Sequence, residues 1–505
     1  MDTGNEDQLP VFALLKQGRE RLLAEDLPGA QDSLERALAL GAKNPEVLVL
    51  LAAVHARQRD FARAHRRLAA ALELNSNDAH AHDTLGNLLR LEGRLEEAIE
   101  SYGKAIVTNP RFASSMSNRA LCLQDLGRFT LARASYIQAV ETDPSDLTVA
   151  ANLAALLFDL GEFSAAMERI SAILRIEPQF SQAHVVKALG LLRRGEYERG
   201  WTEYEWRDRN AGRADPNPYD YPEWDGLPLR DDPLLVCAEQ GLGDQIMFAS
   251  CIGDLLAIAP RCVIECDPRL TALLARSFPS ARVYGQRTKS AQPWLKDGIV
   301  PRAKTWLGSL PLRFRRSQGD FPQRDAHLRA DPAKVHSWTQ TLAALSPGLK
   351  VGISWRGGVA TTRRATRSIA LSEWLPILRL PRMHVVSLQY GNHHDEIAGV
   401  CSGAGITIHH WDNAIENYDE TAALVCALDI VISVQTSIVH LAGALGKPVW
   451  VLVPEIAEWR YGESADVMPW YSSARLFRQR KTGAWKNVLS RVRNALELQG
   501  TTGAR

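Results

Sequence analysis

The chain has 505 residues, too many for a single hydrophobic core, and points to about two to four domains. Its 46% hydrophobic and 23% charged residues are ordinary for a globular protein, and a formal charge of +1 gives no reason to expect nucleic acid as a partner. Basic clusters at 313–316 (RFRR), 363–367 (RRATR) and 475–481 (RLFRQRK) are scattered and read as solvated faces.

The opening MDTGNEDQLP has an acidic pair and no apolar core, so no secretory signal is expected. No apolar run reaches the roughly 18 residues of a membrane span. Seven cysteines, an odd number spread from Cys122 to Cys426, suit a reducing cytoplasm better than a disulfide framework. The pair in CVIEC (262–266) lacks a second pair at zinc spacing, and no metal is expected.

After residues 1–11, expected to be flexible, the sequence repeats itself with a period of 34 residues. Gly93, Gly127, Gly161 and Gly195 keep the step in turns, and Pro110, Pro144 and Pro178 keep it at helix breaks. Ala52, Gly86, Ala120, Ala154 and Ala188 recur in one helix, and Ala64, Ala98, Ala132 and Ala166 in the next. Small side chains at fixed points let paired helices approach closely, and the pattern predicts an α-solenoid of five or six units. It resembles the tetratricopeptide repeat over residues 12–205, a likeness that implies a concave groove accepting peptides. Asn118 and Asn152 take equivalent places on the first helices, where their amides would either bond a peptide backbone or simply face solvent.

Residues 206–231, rich in proline and acid, are the expected linker. Beyond it, continuous apolar runs alternate with helical patterns: PLLVCAE, RCVIEC, ARVYG, then KVGISW, HVVSLQ, ITIHHW, DIVISV and KPVWVLV. Strands of that kind are buried on both faces, so the fold class is α + α/β, with two Rossmann-like parallel-sheet halves at 232–348 and 349–495 and a flexible tail at 496–505.

Three turns carry chemistry. In EQGLGDQIMF the turn resembles a dinucleotide fingerprint, but Ile246 stands where the third glycine belongs and Asp244 would repel a phosphate. Gly241 and Gly243 would let a substrate approach the backbone, and Asp244 reads either as a helix cap or as a general base. The contrasting turn, Gln435-Thr436-Ser437 before His440, has no acid and can receive a phosphate on its helix N-terminus, with capping by Thr436 the alternative. In SWRGGVATTRRATRS (354–368), Arg356, Arg364 or Arg367 could neutralise a diphosphate. Gln389 and Tyr390 end another strand at the same edge, where they would read a base or serve as ordinary loop residues, and Asp419 would bond a ribose or cap a helix. Trp459 and Arg460 would border the cleft or pack. The histidine pairs 393–394 and 409–410 do not have metal-ligand spacing.

EQGLGDQIMF, ISWRG, Arg367-Ser368 and DIVISVQTSIVHLAGALGKPVWVLVP resemble the heptosyltransferase-type glycosyltransferases of the GT-B fold over about residues 232–495. Joined to the repeats, the architecture is also similar to the protein O-linked N-acetylglucosamine transferases and to bacterial repeat-bearing transferases that modify flagellin. The resemblance implies an inverting, metal-independent enzyme without a cofactor, a nucleotide-sugar donor on the C-terminal half, and Asp244 as the base. It also implies a donor turn at Thr436 and Ser437 followed by His440, and a protein acceptor, flagellin being favoured. One departure stands out: Gln435 occupies the place of the aspartate usual in such sequences, and Ser437 that of a frequent glycine. Two alternatives stay open, a scaffold whose GT-B part no longer acts and a polysaccharide or lipopolysaccharide transferase whose repeats serve assembly.

Overall fold

The computed structural model describes residues 8–40, 44–209, 219–286, 292–321, 323, 326–358 and 363–502. The rest of the expected N-terminal tail, of the linker, of the loop 354–368 and of the C-terminal tail lies outside them. Contacts divide the chain into two compact units, residues 1–160 and 161–505.

Among the described residues, twelve helices follow one another from Gln8–Leu23 to Tyr197–Tyr204. The glycines that keep the repeat step all take left-handed backbone, with φ of +79° at Gly93, +75° at Gly127, +78° at Gly161 and +80° at Gly195. Glycine adopts that conformation without strain, and these four turns keep it, while Glu25 (φ +60°) and Arg59 (φ +62°) hold the same step in the two turns before them. The small residues lie at buried positions: Ala64, Ala98, Ala120 and Ala154 are fully covered, and a Cβ on Gly86 would stand 2.6 Å from Tyr102 Cε1. Aspartates start several helices, Asp78 accepting from the N–H groups of His80 and Ala81 and Asp146 from those of Thr148 and Val149.

The second unit holds two sheets. The first comprises β1 (Leu234–Cys237), β2 (Cys262–Cys266), β3 (Arg282–Gly285) and β4 (Ala303–Trp306), all parallel, in the order β3-β2-β1-β4. The second comprises β5 (Leu349–Ser354), β6 (Met383–Ser387), β7 (Ile408–His409), β8 (Ile430–Val434), β9 (Val449–Val453), β10 (Val467–Met468) and β11 (Tyr471–Arg478). Its order is β10-β11-β9-β8-β5-β6-β7, parallel except where β10 meets β11. This is the expected α + α/β class. Strands β4, β10 and β11 escaped prediction. The β4 pattern is interrupted by Lys304, which is buried all the same, paired with Glu223 and set 5.0 Å from the Trp306 ring centre.

The basic side chains of two clusters are mostly exposed, as at Arg313, Arg316, Arg475, Arg480 and Lys481, but each cluster also reaches into the core. RLFRQRK begins in the last residues of β11, where Leu476 and Phe477 are core residues. Arg315 of RFRR is buried, donating to the Ser250 carbonyl at 2.9 Å and to Asp254 Oδ2 at 2.8 Å. The expected linker is also tied down where it is described: Arg207 grips Glu239 through Nε and Nη2, and Tyr219 and Trp224 are buried. The expected tail is helical as far as Thr502. Cys262 and Cys266 are buried thiols, the first donating to the Ala259 carbonyl at 2.9 Å.

The last repeat helix carries Trp201 into the core of this unit. Trp201 is 1% exposed, donates Nε1–H to the Arg315 carbonyl at 2.8 Å, and meets Tyr204, Phe248, Trp459 and Trp470 edge-on. Replacing so large a buried ring leaves a cavity and orphans a carbonyl. Trp201→Ala is expected to lose about 3–5 kcal/mol in the second unit, read as an earlier urea transition with an unchanged helical signal from the first unit.

Candidate functional site

The carboxyl ends of β1, β5, β6 and β8 open onto one cavity of about 910 Å³. Open parallel sheets bind ligands at this edge because the helix N-termini that follow the strands present free N–H groups there. Leu242, Gly243, Asp244 and Arg269 line it from the first half, and residues including Arg356, Gln389 and the 435–438 turn from the second. Five arginines and three carboxylates line it (Arg269, Arg356, Arg364, Arg367 and Arg460 with Asp244, Glu416 and Glu458), and Asp267 and Glu396 behind them pair with Arg269 and Arg356.

Asp244 lies in the first turn of the helix Leu242–Phe248 but is not its N-cap, a position held by Gly241. Its Oδ2 accepts from the Gly241 N–H at 3.3 Å, and its Oδ1 pairs with Arg460 Nη2 at 2.8 Å. The carboxylate that would repel a phosphate is thus balanced by a guanidinium from the opposite half. Gly241 does not act as expected. It has an ordinary φ of −81°, and the left-handed residue of the turn is Gln240 at +63°, whose amide bonds the Tyr204 hydroxyl. A Cβ on Gly243 would lie 3.0 Å from His440 Cδ2 and 3.5 Å from Ser437 Cα, so this glycine, which lines the cavity, also serves close contact between the halves.

In the second half, Thr436 caps the helix Ser437–Ala444 by accepting from the Ile438 N–H at 3.2 Å, and its hydroxyl also meets Ser433 Oγ at 3.1 Å. Thr436 and Ser437 both line the cavity, so capping and ligand reception meet on one turn. Gln435 is 1% exposed, and neither its Oε1 nor its Nε2 has a hydrogen-bond partner. His440 is fully buried, with Nδ1 at 3.1 Å from the Tyr471 hydroxyl. Burial, then Arg460 and Arg367, hold it well below the usual imidazole value of 6.5, so it stays neutral.

Two of the arginines singled out in the sequence, Arg356 and Arg367, reach the cavity already partnered, and Arg364 lines it as an exposed residue. Arg356 clasps Glu396 through Nε at 3.0 Å and Nη2 at 2.7 Å. Arg367 donates to Glu458 Oε1 at 3.1 Å and to the Gln435 carbonyl at 2.8 Å. Against the opposing effect of burial, Arg367 and Arg460 keep the Glu458 carboxyl below its usual range. Glu396 and Glu458 were not visible as site residues, because nothing local in the sequence pairs them with arginines 40 and 91 positions away. The reading of Gln389 as a base contact is corrected: its buried Oε1 accepts from Ser354 Oγ and from the N–H groups of Trp355 and Arg356, at 3.2, 3.0 and 2.8 Å. It holds the end of β5 instead. Tyr390 is exposed at the rim. Asp419 neither caps its helix, which Asn417 does, nor faces a ribose, since Arg276 and Lys334 engage it at 2.9 and 3.2 Å. Trp459 packs against Trp201.

In the first unit, Asn118 donates Nδ2–H to Asn87 Oδ1 at 3.2 Å. Asn87 also accepts from the Tyr102 hydroxyl and donates to Asp83, which accepts from Ser115 Oγ at 2.6 Å. Asn118 is therefore one rung of a polar ladder rather than an open amide, and Asn152 is half-buried and engaged as well. The histidine pairs do not stay separate: His394 and His410, one from each, converge on Asp412.

Two outcomes follow from these environments. Replacing the unpartnered Gln435 amide by an apolar chain of similar shape removes a desolvation penalty, so Gln435→Met is expected to stabilise the ligand-free protein by about 1–3 kcal/mol in denaturant titrations. With His440 depressed below 6.5, the unfolded chain binds a proton that the folded chain refuses, so its contribution to stability is complete above that pH and shrinks as pH falls. His393 and His409, depressed by burial, act in the same direction. The diagnostic is thus the difference between proteins: His440→Gln should flatten the stability slope between about pH 6.5 and 5 relative to wild type.

Tetratricopeptide repeat models match residues 50–115 and 123–190. Among solved structures, the chain is similar to Pseudomonas aeruginosa pilF, at 19% identity and a TM-score of 0.34 over 40% of this chain and 87% of that one. It is likewise similar to a thermophilic TPR protein of Thermus thermophilus, at 23% identity and a TM-score of 0.33 over 37% of this chain and 99% of that one. No described helix is long and apolar enough to cross a membrane. The chain is 31% identical over 453 residues to protein FlbA of Caulobacter vibrioides, covering 85% of its own length and 69% of the relative's, and it belongs to the FlbA family.

Proposed function

We propose that the protein is an inverting, metal-independent glycosyltransferase that moves a sugar from a nucleotide-sugar donor to a protein acceptor guided by the repeats. The observation that carries this reading is the pairing of two unlike helix starts in one cavity: a carboxylate on the first half, and an acid-free turn with a buried, unpartnered amide on the second. A displacement needs both. The acceptor hydroxyl gives its proton to Asp244 as its oxygen bonds the anomeric carbon, and the bond from that carbon to the nucleotide phosphate breaks. The phosphate charge then falls on the N–H groups and hydroxyls of Thr436 and Ser437, with Arg367 beside them. Gln435 would complete its hydrogen bonds on the donor. Flagellin is the acceptor we favour, on likeness of architecture alone.

A second reading has its own support. Arg356, Arg367 and Arg460 are each engaged by a carboxylate of the protein, and Gln435 replaces an acid, as expected of a scaffold whose transferase part no longer receives a donor. Calorimetric titration with ADP, UDP, GDP, CDP and CMP separates the two. The transferase reading expects one nucleotide to bind selectively and Thr436→Ala with Ser437→Ala to weaken it. It also expects Asp244→Asn to cut transfer by about 10²–10⁴-fold with nucleotide binding retained. Transfer at the wild-type rate by a folded Asp244→Asn protein would remove Asp244 from the chemistry, and no nucleotide binding at all would favour the scaffold.

A further inference from the structure

We infer that His394, His410 and Asp412 form a binding site for a zinc-class divalent cation, outside the proposed chemistry, that clamps the segments at the rim of the second half. The two histidine pairs divide their work. His393 turns inward, its ring 5.7 Å from that of Trp355 and its Nδ1 3.4 Å from Glu396, which leaves His394 to point away. His409 stacks on Trp411 with ring centres 5.7 Å apart, and strand alternation sends His410 to the other side. The two released rings meet edge to face, 4.9 Å apart.

Their approach is that of ligands. His394 Nε2 lies 2.9 Å and His410 Nε2 3.3 Å from the same oxygen, Asp412 Oδ1. All the donor atoms fall within 4.8 Å of one another. A tetrahedral ion with bonds of about 2.0–2.1 Å holds its ligand atoms roughly 3.3 Å apart, so the two N···O separations need change by only a few tenths of an ångström, and the two histidine donors, within 4.8 Å of each other, by about 1.5 Å at most. Imidazole with a single carboxylate is a donor set that suits zinc and its neighbours rather than calcium or magnesium, which favour oxygen ligands.

The burial of His410 is the second observation. Its side chain is 9% exposed, and its Nδ1 has no hydrogen-bond partner, so its polar contacts all run through Nε2 toward Asp412. A surface ion pair gains little from burying a ring in this way, and packing here supplies the fixed orientation that a ligand's second ring nitrogen usually secures by a hydrogen bond. His394 and Asp412 are 53% and 62% exposed, which leaves the remaining coordination position to water. Two pieces of chain would be joined: the start of the helix His394–Ala404, and the segment that leads from the end of β7 through His410 into the helix Asp412–Glu416. His393 and Ile415, one on each piece, line the cavity, so the cation would stiffen that rim.

The test uses the full chain without a histidine tag, stripped with a chelator and dialysed, then titrated with Co²⁺ by visible spectroscopy and with Zn²⁺ by calorimetry. One ion per chain is expected, with the ligand-field bands of four-coordinate Co²⁺ and a higher thermal midpoint in Zn²⁺. His394→Ala changes an exposed residue and should leave the fold intact while weakening binding at least roughly tenfold, and Asp412→Asn should do the same. His336→Ala, an exposed histidine elsewhere, should bind as wild type does. Absence of stoichiometric binding, or binding untouched by His394→Ala, would overturn the site.

Discussion

Gly243 stands so close to His440 that one added carbon would come within 3.0 Å of the imidazole, and the site is organised around this contact. It sets the first turns of the helices Leu242–Phe248 and Ser437–Ala444 side by side, one from each half. Asp244 and the Thr436 turn consequently share a cavity. The same closeness buries His440, and burial keeps its ring neutral although a hydroxyl lies on Nδ1. A charged imidazole there would add to Arg460 and Arg367 and disturb the balance of the cleft. Steric fit and electrostatics therefore depend on one position without a side chain.

Three arginines of the cleft are held in pairs with carboxylates, and the pairing has a purpose beyond stability. Arg460 with Asp244, Arg367 with Glu458 and Arg356 with Glu396 each fix a long side chain that would otherwise sample many rotamers. Buried guanidinium groups need partners, or their desolvation would outweigh any later gain from a ligand. A polyanion entering such a site meets donors that are already oriented and has only to share them. Gln435 is the exception, a polar side chain left without bonds in the interior. Interiors seldom keep such groups, and this one lies on the cavity wall beside a helix N-terminus.

How much of this could be read from the sequence depends on the range of the interaction. The repeat was legible because a left-handed turn, a close helix contact and a helix break each impose a residue type locally, as at Gly127, Ala98 and Pro144. The eight strands with continuous apolar runs were legible for the same reason. Strand β4 was hidden by Lys304, whose burial depends on Glu223, 81 residues earlier. Gln389 was misjudged because its partners lie on β5, not beside it. The turn at Asp244 was recognised, but the meaning of its glycines was not, since His440 comes from the other half. The convergence of His394 and His410 has the same cause: each pair looks inert until the fold brings them to Asp412.

The short segment Glu458–Tyr461 joins these themes. Trp459 sits edge-on to Trp201 of the last repeat helix, with ring centres 5.5 Å apart. Its neighbours face the cleft: Arg460 holds Asp244, and Glu458 holds Arg367. Alternating directions along a tight turn thus place an aromatic anchor between two ionic contacts of the cavity. Any displacement of the helix Tyr197–Tyr204 would press on Trp459, because a packed aromatic cluster transmits strain instead of absorbing it. The adjacent Arg460 and Glu458 would move with it, and so would the carboxylate that Arg460 orients. The last repeat is therefore built into the floor of the cleft, and its packing and the position of Asp244 are properties of a single core.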